Sequence, residues 1–109
     1  MNSFFSVKEA PKKRKRKNKK SEVAEAYTEE TWEQIVQRIL YLCRMRDINL
    51  NVLALRAGLT PSTLKSIMYG TSKNPSIVTL RHICDGLDIS LEEFFHSRLF
   101  RELDHYVGF

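Results

Sequence analysis

Apolar side chains recur at helical spacing along most of the chain, and no segment shows the alternation of a half-buried strand. Trp32, Ile35, Val36, Ile39, Leu40, Leu42 and Cys43 follow the i, i+3, i+4, i+7 pattern as far as about Arg46. Thr28 stands where a cap belongs, Glu29 and Glu30 complement the dipole of a first turn, and Tyr27 is placed to staple onto Trp32. The pattern therefore predicts a first helix from near Thr28, with Arg44 and Arg46 in its last turn. Asn49 caps a two-turn helix from Leu50 to Ala57 that Gly58 ends. Leu59 is a buried plug, and Thr60 caps a third helix with Pro61 at its first position, running to about Tyr69 before Gly70. A polar loop, residues 71–75, leads to Ser76 and a fourth helix with Ile77, Leu80, Ile83, Cys84 and Leu87 on one side. Asp88 is assigned the left-handed conformation, and Ser90 with Glu93 forms a capping box for a fifth helix carrying Leu91, Phe94, Phe95 and Leu99. The fold class predicted is all-α.

Charge divides the chain. The formal net charge of +5 arises from 18 Lys+Arg against 13 Asp+Glu, with a pI near 9.4. Nine of those basic side chains and one acid, Glu9, fall in residues 1–20, a net of +8. The other 89 residues are therefore acidic, at −3. Within them, residues 44–82 hold Arg44, Arg46, Arg56, Lys65, Lys73 and Arg81 against Asp47 alone, for +5, while residues 21–43 and 83–109 each net −4. The segment around residues 8–20 has no apolar anchor but Ala10 and repels itself, so it is expected to be disordered. The organisation expected is a disordered basic arm over 1–26, with a hinge at 21–26, a domain over 27–101, and a loosely attached tail over 102–109.

Several classes fall away. No stretch reaches the roughly 18 apolar residues of a membrane span, and the apolar start at Met1–Val7 precedes its charge run, the reverse of a signal peptide. Cys43 and Cys84 have no CxxC and no histidine at ligand spacing, so both are read as buried free thiols, with no metal. There is no phosphate loop, nucleophile elbow or HExxH, and His82, His96 and His105 have no partner pattern. An enzyme is not expected, nor any cofactor.

The informative segment is Asn49–Gly70, NLNVLALRAGLTPSTLKSIMYG. Two short helices joined by Gly58-Leu59-Thr60 fit a helix-turn-helix. Ala54 is small where the helices would cross, and Leu53, Ala57, Leu59, Leu64 and Ile67 are apolar where the pair would lock. Facing Leu64 and Ile67 inward turns Ser62, Lys65, Ser66 and Tyr69 outward, a polar stripe with one cation, suited to the major groove.

Residues 31–95 resemble the phage-repressor (Cro- and XRE-like) helix-turn-helix family. The resemblance lies in Ala54–Leu64 (ALRAGLTPSTL), in Gly70–Ser76 (GTSKNPS) and in Leu87–Phe95 (LDISLEEFF). It implies a five-helix, lambda-repressor-like domain, as in small single-domain bacterial regulators, whose third helix reads double-stranded DNA. By position, Pro61, Ser62 and Ser66 match base-reading sites, and Lys65 and Tyr69 share that face. Asn49, Thr63, Lys73 and Asn74 match positions that meet phosphate. Two features depart from the family pattern: Leu50 stands where glutamine is usual, and Pro and Ser stand where longer polar side chains supply bidentate readout.

The arm residues Lys12, Lys13, Arg14, Lys15, Arg16 and Lys17 are expected to add phosphate affinity. PKKRKRK also matches a nuclear-import pattern, but a domain of bacterial type favours a cytoplasmic, nucleoid-associated protein. Phe95, Leu99 and Phe100 are expected to contact a homodimer partner or another protein. The function expected is sequence-specific DNA binding by a transcriptional regulator, a repressor. The alternative is an antitoxin-like interaction module that uses its C-terminal apolar segment and binds DNA only secondarily.

Overall fold

A computed structural model describes residues 19–107, with side chains over 20–103. Six helices follow one another: α1 Lys19–Met45, α2 Leu50–Ala57, α3 Pro61–Met68, α4 Ile77–Leu87, α5 Leu91–Phe95 and α6 Arg98–Val107. No strand occurs among the described residues.

The ends of α2 to α5 are set by the residues that the sequence marks. Asn49, Thr60, Ser76 and Ser90 each accept, through a side-chain oxygen, the N–H of the residue three positions on, at 2.9–3.1 Å. Gly58 and Asp88 close α2 and α4 in the left-handed region, at φ 72° and 61°. A buried cluster joins the elements: Ile35, Ile39, Leu42 and Cys43 from α1, Leu53 and Ala54 from α2, Leu64, Ile67 and Met68 from α3, Leu80, Ile83, Cys84 and Leu87 from α4, and Phe94 from α5. Helices α2 and α4 pack closely: a Cβ added to Gly86 would lie 2.9 Å from the Ala57 backbone nitrogen. Only glycine lets the two backbones come so near without a shift.

Among the described residues the helix count is six, not five, and the termini differ from expectation. Helix α1 begins at Lys19, so it runs through residues 21–26, expected as a hinge, and through Thr28, expected as its cap. Residues 21–26 bury little, but they are rich in Glu and Ala, which favour helix without burial. Thr28 instead turns its Oγ1 back to donate to the Ala24 carbonyl at 3.0 Å. At the other end α5 stops at Phe95 and does not carry Leu99. Ser97 restarts the chain, its Oγ accepting from Leu99 N–H at 3.2 Å and its carbonyl from Phe100 N–H at 3.0 Å. Helix α6 then packs on α1 and extends through residues 102–107, expected as part of a loose tail. Ile77, expected on the inner face of α4, and Leu40 of α1 are exposed. The arm at 1–18 lies outside the described residues.

Arg38 ties α1 to α5. Its Nε and Nη2 donate to the carbonyls of Phe94 and Glu93 at 2.7 and 2.8 Å, at the C-terminus of α5, where the Glu93 carbonyl also accepts from His96 N–H at 3.2 Å. Cys43 and Cys84 are buried free thiols. Burial pushes both thiols up, at Cys43 against the opposing influence of Arg46, so both stay protonated and weakly nucleophilic.

Candidate nucleic-acid interface

The turn between α2 and α3 is built by three residues. Gly58 takes the left-handed turn and Leu59 N–H donates to the Ala54 carbonyl at 3.0 Å, which places the half-buried Leu59 against the core. Thr60 then caps α3, with Pro61 at its first position. His82 of α4 supports the junction from behind: its Nδ1 stands 2.9 Å from the Ala57 carbonyl, an acceptor, so the ring nitrogen donates.

With Leu64, Ile67 and Met68 buried, α3 turns Pro61, Ser62, Lys65 and Tyr69 to solvent, Tyr69 with 73% of its surface free. Ser66 is half-buried beside them, and its carbonyl accepts from Ser72 N–H at 2.9 Å. The five residues read as base contacts thus stand along one helix and its end.

The residues read as phosphate contacts are less uniform. Asn49 and Asn74 are exposed, but the Asn49 Oδ1 is already engaged as the α2 cap. Thr63 is exposed, with its hydroxyl 2.9 Å from that of Thr60. Lys73 is half-buried and ion-paired, its Nζ 3.0 Å from Glu29 Oε1. Lys12, Lys13, Arg14, Lys15, Arg16 and Lys17 lie outside the described residues. Arg44, Arg56 and Arg81 of the positive segment are exposed.

Phe95 is exposed, and Leu99 and Phe100 are half-buried. The Phe95 ring stands edge-on to Phe94 and Phe100, with centroids 5.1 and 4.9 Å apart, and Phe100 packs against the core.

Two contacts that anchor this face escape sequence reasoning. Trp32 Nε1 donates to the Ile67 carbonyl at 2.7 Å and so fastens α1 to the end of α3. Glu29 reaches Lys73 from the same helix. The periodicity marks Trp32 only as apolar, and nothing in the spacing pairs residues 44 positions apart.

Among the described residues no helix is long and apolar enough to cross a membrane, and no cluster of His, Cys, Asp or Glu is placed to hold a metal. The architecture defines a helix-turn-helix DNA-binding fold. Residues 38–96, more than half of the chain, match the Cro/C1-type helix-turn-helix DNA-binding domain, and the chain belongs to that family. No curated protein and no solved structure matches it. The family supports DNA binding by a transcriptional regulator.

Proposed function

We propose that the chain is a sequence-specific double-stranded DNA-binding repressor that lays residues 61–69 in the major groove. The observation that carries this reading is the polar stripe Ser62, Lys65, Ser66 and Tyr69 on α3, set over the buried Leu64 and Ile67. A short helix so anchored offers a fixed row of donors and acceptors to base edges. Pro61 precedes that row and offers a base only apolar contact. Asn49, Thr63, Lys73 and Asn74 flank it and meet phosphate. The short Ser side chains leave part of the selectivity to Lys65, Tyr69 and DNA shape. Two copies bind half-sites one helical turn apart, about 34 Å.

The arm supplies affinity without sequence. Lys12, Lys13, Arg14, Lys15, Arg16 and Lys17 carry six charges, and neutralising six phosphates steepens the fall of log affinity with log salt by about 5. The experiment is a titration of duplex DNA with the full chain and with a chain starting at Ser21, each across a salt series. Both are expected to bind, the full chain with the steeper slope. Failure of the full chain to bind duplex DNA overturns the function, and equal slopes overturn the role of the arm.

A further inference from the structure

Lys73 is assigned above to phosphate, yet its ammonium already has an anion. Nζ donates to Glu29 Oε1 at 3.0 Å and Oε2 at 3.3 Å. The same ammonium lies 5.1 Å from the centroid of the Trp32 ring. Trp32 itself is fixed, by its bond to the Ile67 carbonyl and by Gly70, where an added Cβ would stand 3.2 Å from Trp32 Cζ2 and 3.4 Å from Lys73 Cε. Gly70 adopts φ +87°, so the backbone there makes room for both side chains. The cation next to the recognition helix is thus held between a carboxylate and an indole, both from α1. Glu29 and Trp32 precede the residues that match the family, 38–96, so this holder comes from the N-terminal half of α1 and not from the matched segment.

The chemistry sets two anions in competition. An ammonium has three donors, and here a carboxylate takes up one side of it and a π face another. A phosphate that approached with the pair intact would also stand beside the Glu29 carboxylate and be repelled. Both side chains are partly open to solvent, Lys73 at 38% and Glu29 at 49%, and the lysine stem is flexible, so the exchange is accessible. We infer that Glu29 is a positioning residue that holds Lys73 against Trp32 and away from phosphate in the free chain, so that DNA binding exchanges one anion for the other. The inference rests on the reading that Lys73 meets DNA phosphate. An exposed pair of this kind lowers affinity by about two- to five-fold. The effect fades as salt screens the pair.

The test uses the full chain and a short fluorescein-labelled mixed-sequence duplex, followed by anisotropy at low salt. Glu29→Gln keeps the size and helix preference of the side chain and removes its charge. It is expected to bind the duplex about two- to five-fold more tightly than the native chain. Glu29→Asp, which keeps the charge, is expected to stay near native affinity. In the Lys73→Gln background the gain from Glu29→Gln is expected to vanish. Trp32 is the one tryptophan of the chain, so its emission reports the ammonium beside it. That emission is expected to shift in free Glu29→Gln and to shift in the native chain when DNA is added. Unchanged or weaker duplex binding by Glu29→Gln overturns the inference alone, as does a gain that survives in Lys73→Gln. A native chain that binds no duplex overturns the DNA-binding reading and the inference together.

Discussion

Replacing Phe94 with alanine is expected to destabilise the domain by about 3–5 kcal/mol. Phe94 is fully buried, and its ring meets Phe95 at 5.1 Å and Phe100 at 6.0 Å between centroids. Its removal takes away both the transfer free energy of the ring and the aromatic contacts that join α5 to α6. The surroundings have little freedom to collapse, because Arg38 holds the Phe94 carbonyl at 2.7 Å and keeps the α5 backbone in place. Domains of this size are stable by about 5–15 kcal/mol in total, so the variant stands near or past its unfolding threshold. Urea denaturation followed by circular dichroism measures the loss. A loss under about 1 kcal/mol would mean that the aromatic end of the domain is not part of its cooperative core. Phe94→Leu, which refills most of the volume, is expected to lose far less.

The second large effect concerns binding and leaves the fold alone. Lys65→Ala with Ser66→Ala is expected to weaken binding to a specific site by about 1–3 kcal/mol for each good base contact removed. Helix α3 keeps Leu64, Ile67 and Met68, its Thr60 cap and its Pro61, and alanine is the better helix former at both positions. Thermal stability should therefore hold while specific affinity falls. Because the two residues are neighbours, their losses need not add. Binding to unrelated duplex should fall much less. Comparing specific and unrelated duplexes, with melting temperature alongside, separates lost readout from lost folding. Equal losses on both duplexes would mean that these side chains touch only the backbone.

Much of the domain is legible because its helix ends carry local chemistry. Asn49, Thr60, Ser76 and Ser90 declare starts through a side-chain oxygen, and Gly58 and Asp88 declare stops through left-handed backbone. Such signals need no knowledge of tertiary contacts. The same holds for the inward set Leu53, Ala57, Leu64 and Ile67, where the 3.6-residue period leaves one consistent face. The errors fall where local signals mislead or are silent. Thr28 with Glu29 and Glu30 imitates a helix start, yet the preceding Glu- and Ala-rich turns continue the helix and leave Thr28 in its interior. Leu99 continues the apolar spacing of α5, but His96 and Ser97 break the helix before it.

The site is legible to a different depth. The outward stripe of α3 follows from which residues face in, so Ser62, Lys65 and Tyr69 could be placed from the period alone. The state of Lys73 could not, because its carboxylate and its indole arrive from α1 through tertiary packing. A lysine in a polar loop reads from sequence as a free cation. In the fold it is an engaged one, paired with Glu29 and set over the Trp32 ring, both from α1.

The central claim, that the face of α3 reads sequence in double-stranded DNA, is tested most directly by selecting bound fragments from random duplex DNA with the full chain at a stated salt concentration. The result expected is enrichment of a defined short motif by the native chain, and its loss when Lys65 and Ser66 are replaced by alanine. Retention of fragments without any enriched motif, or the same motif from the native and the substituted chain, would contradict it.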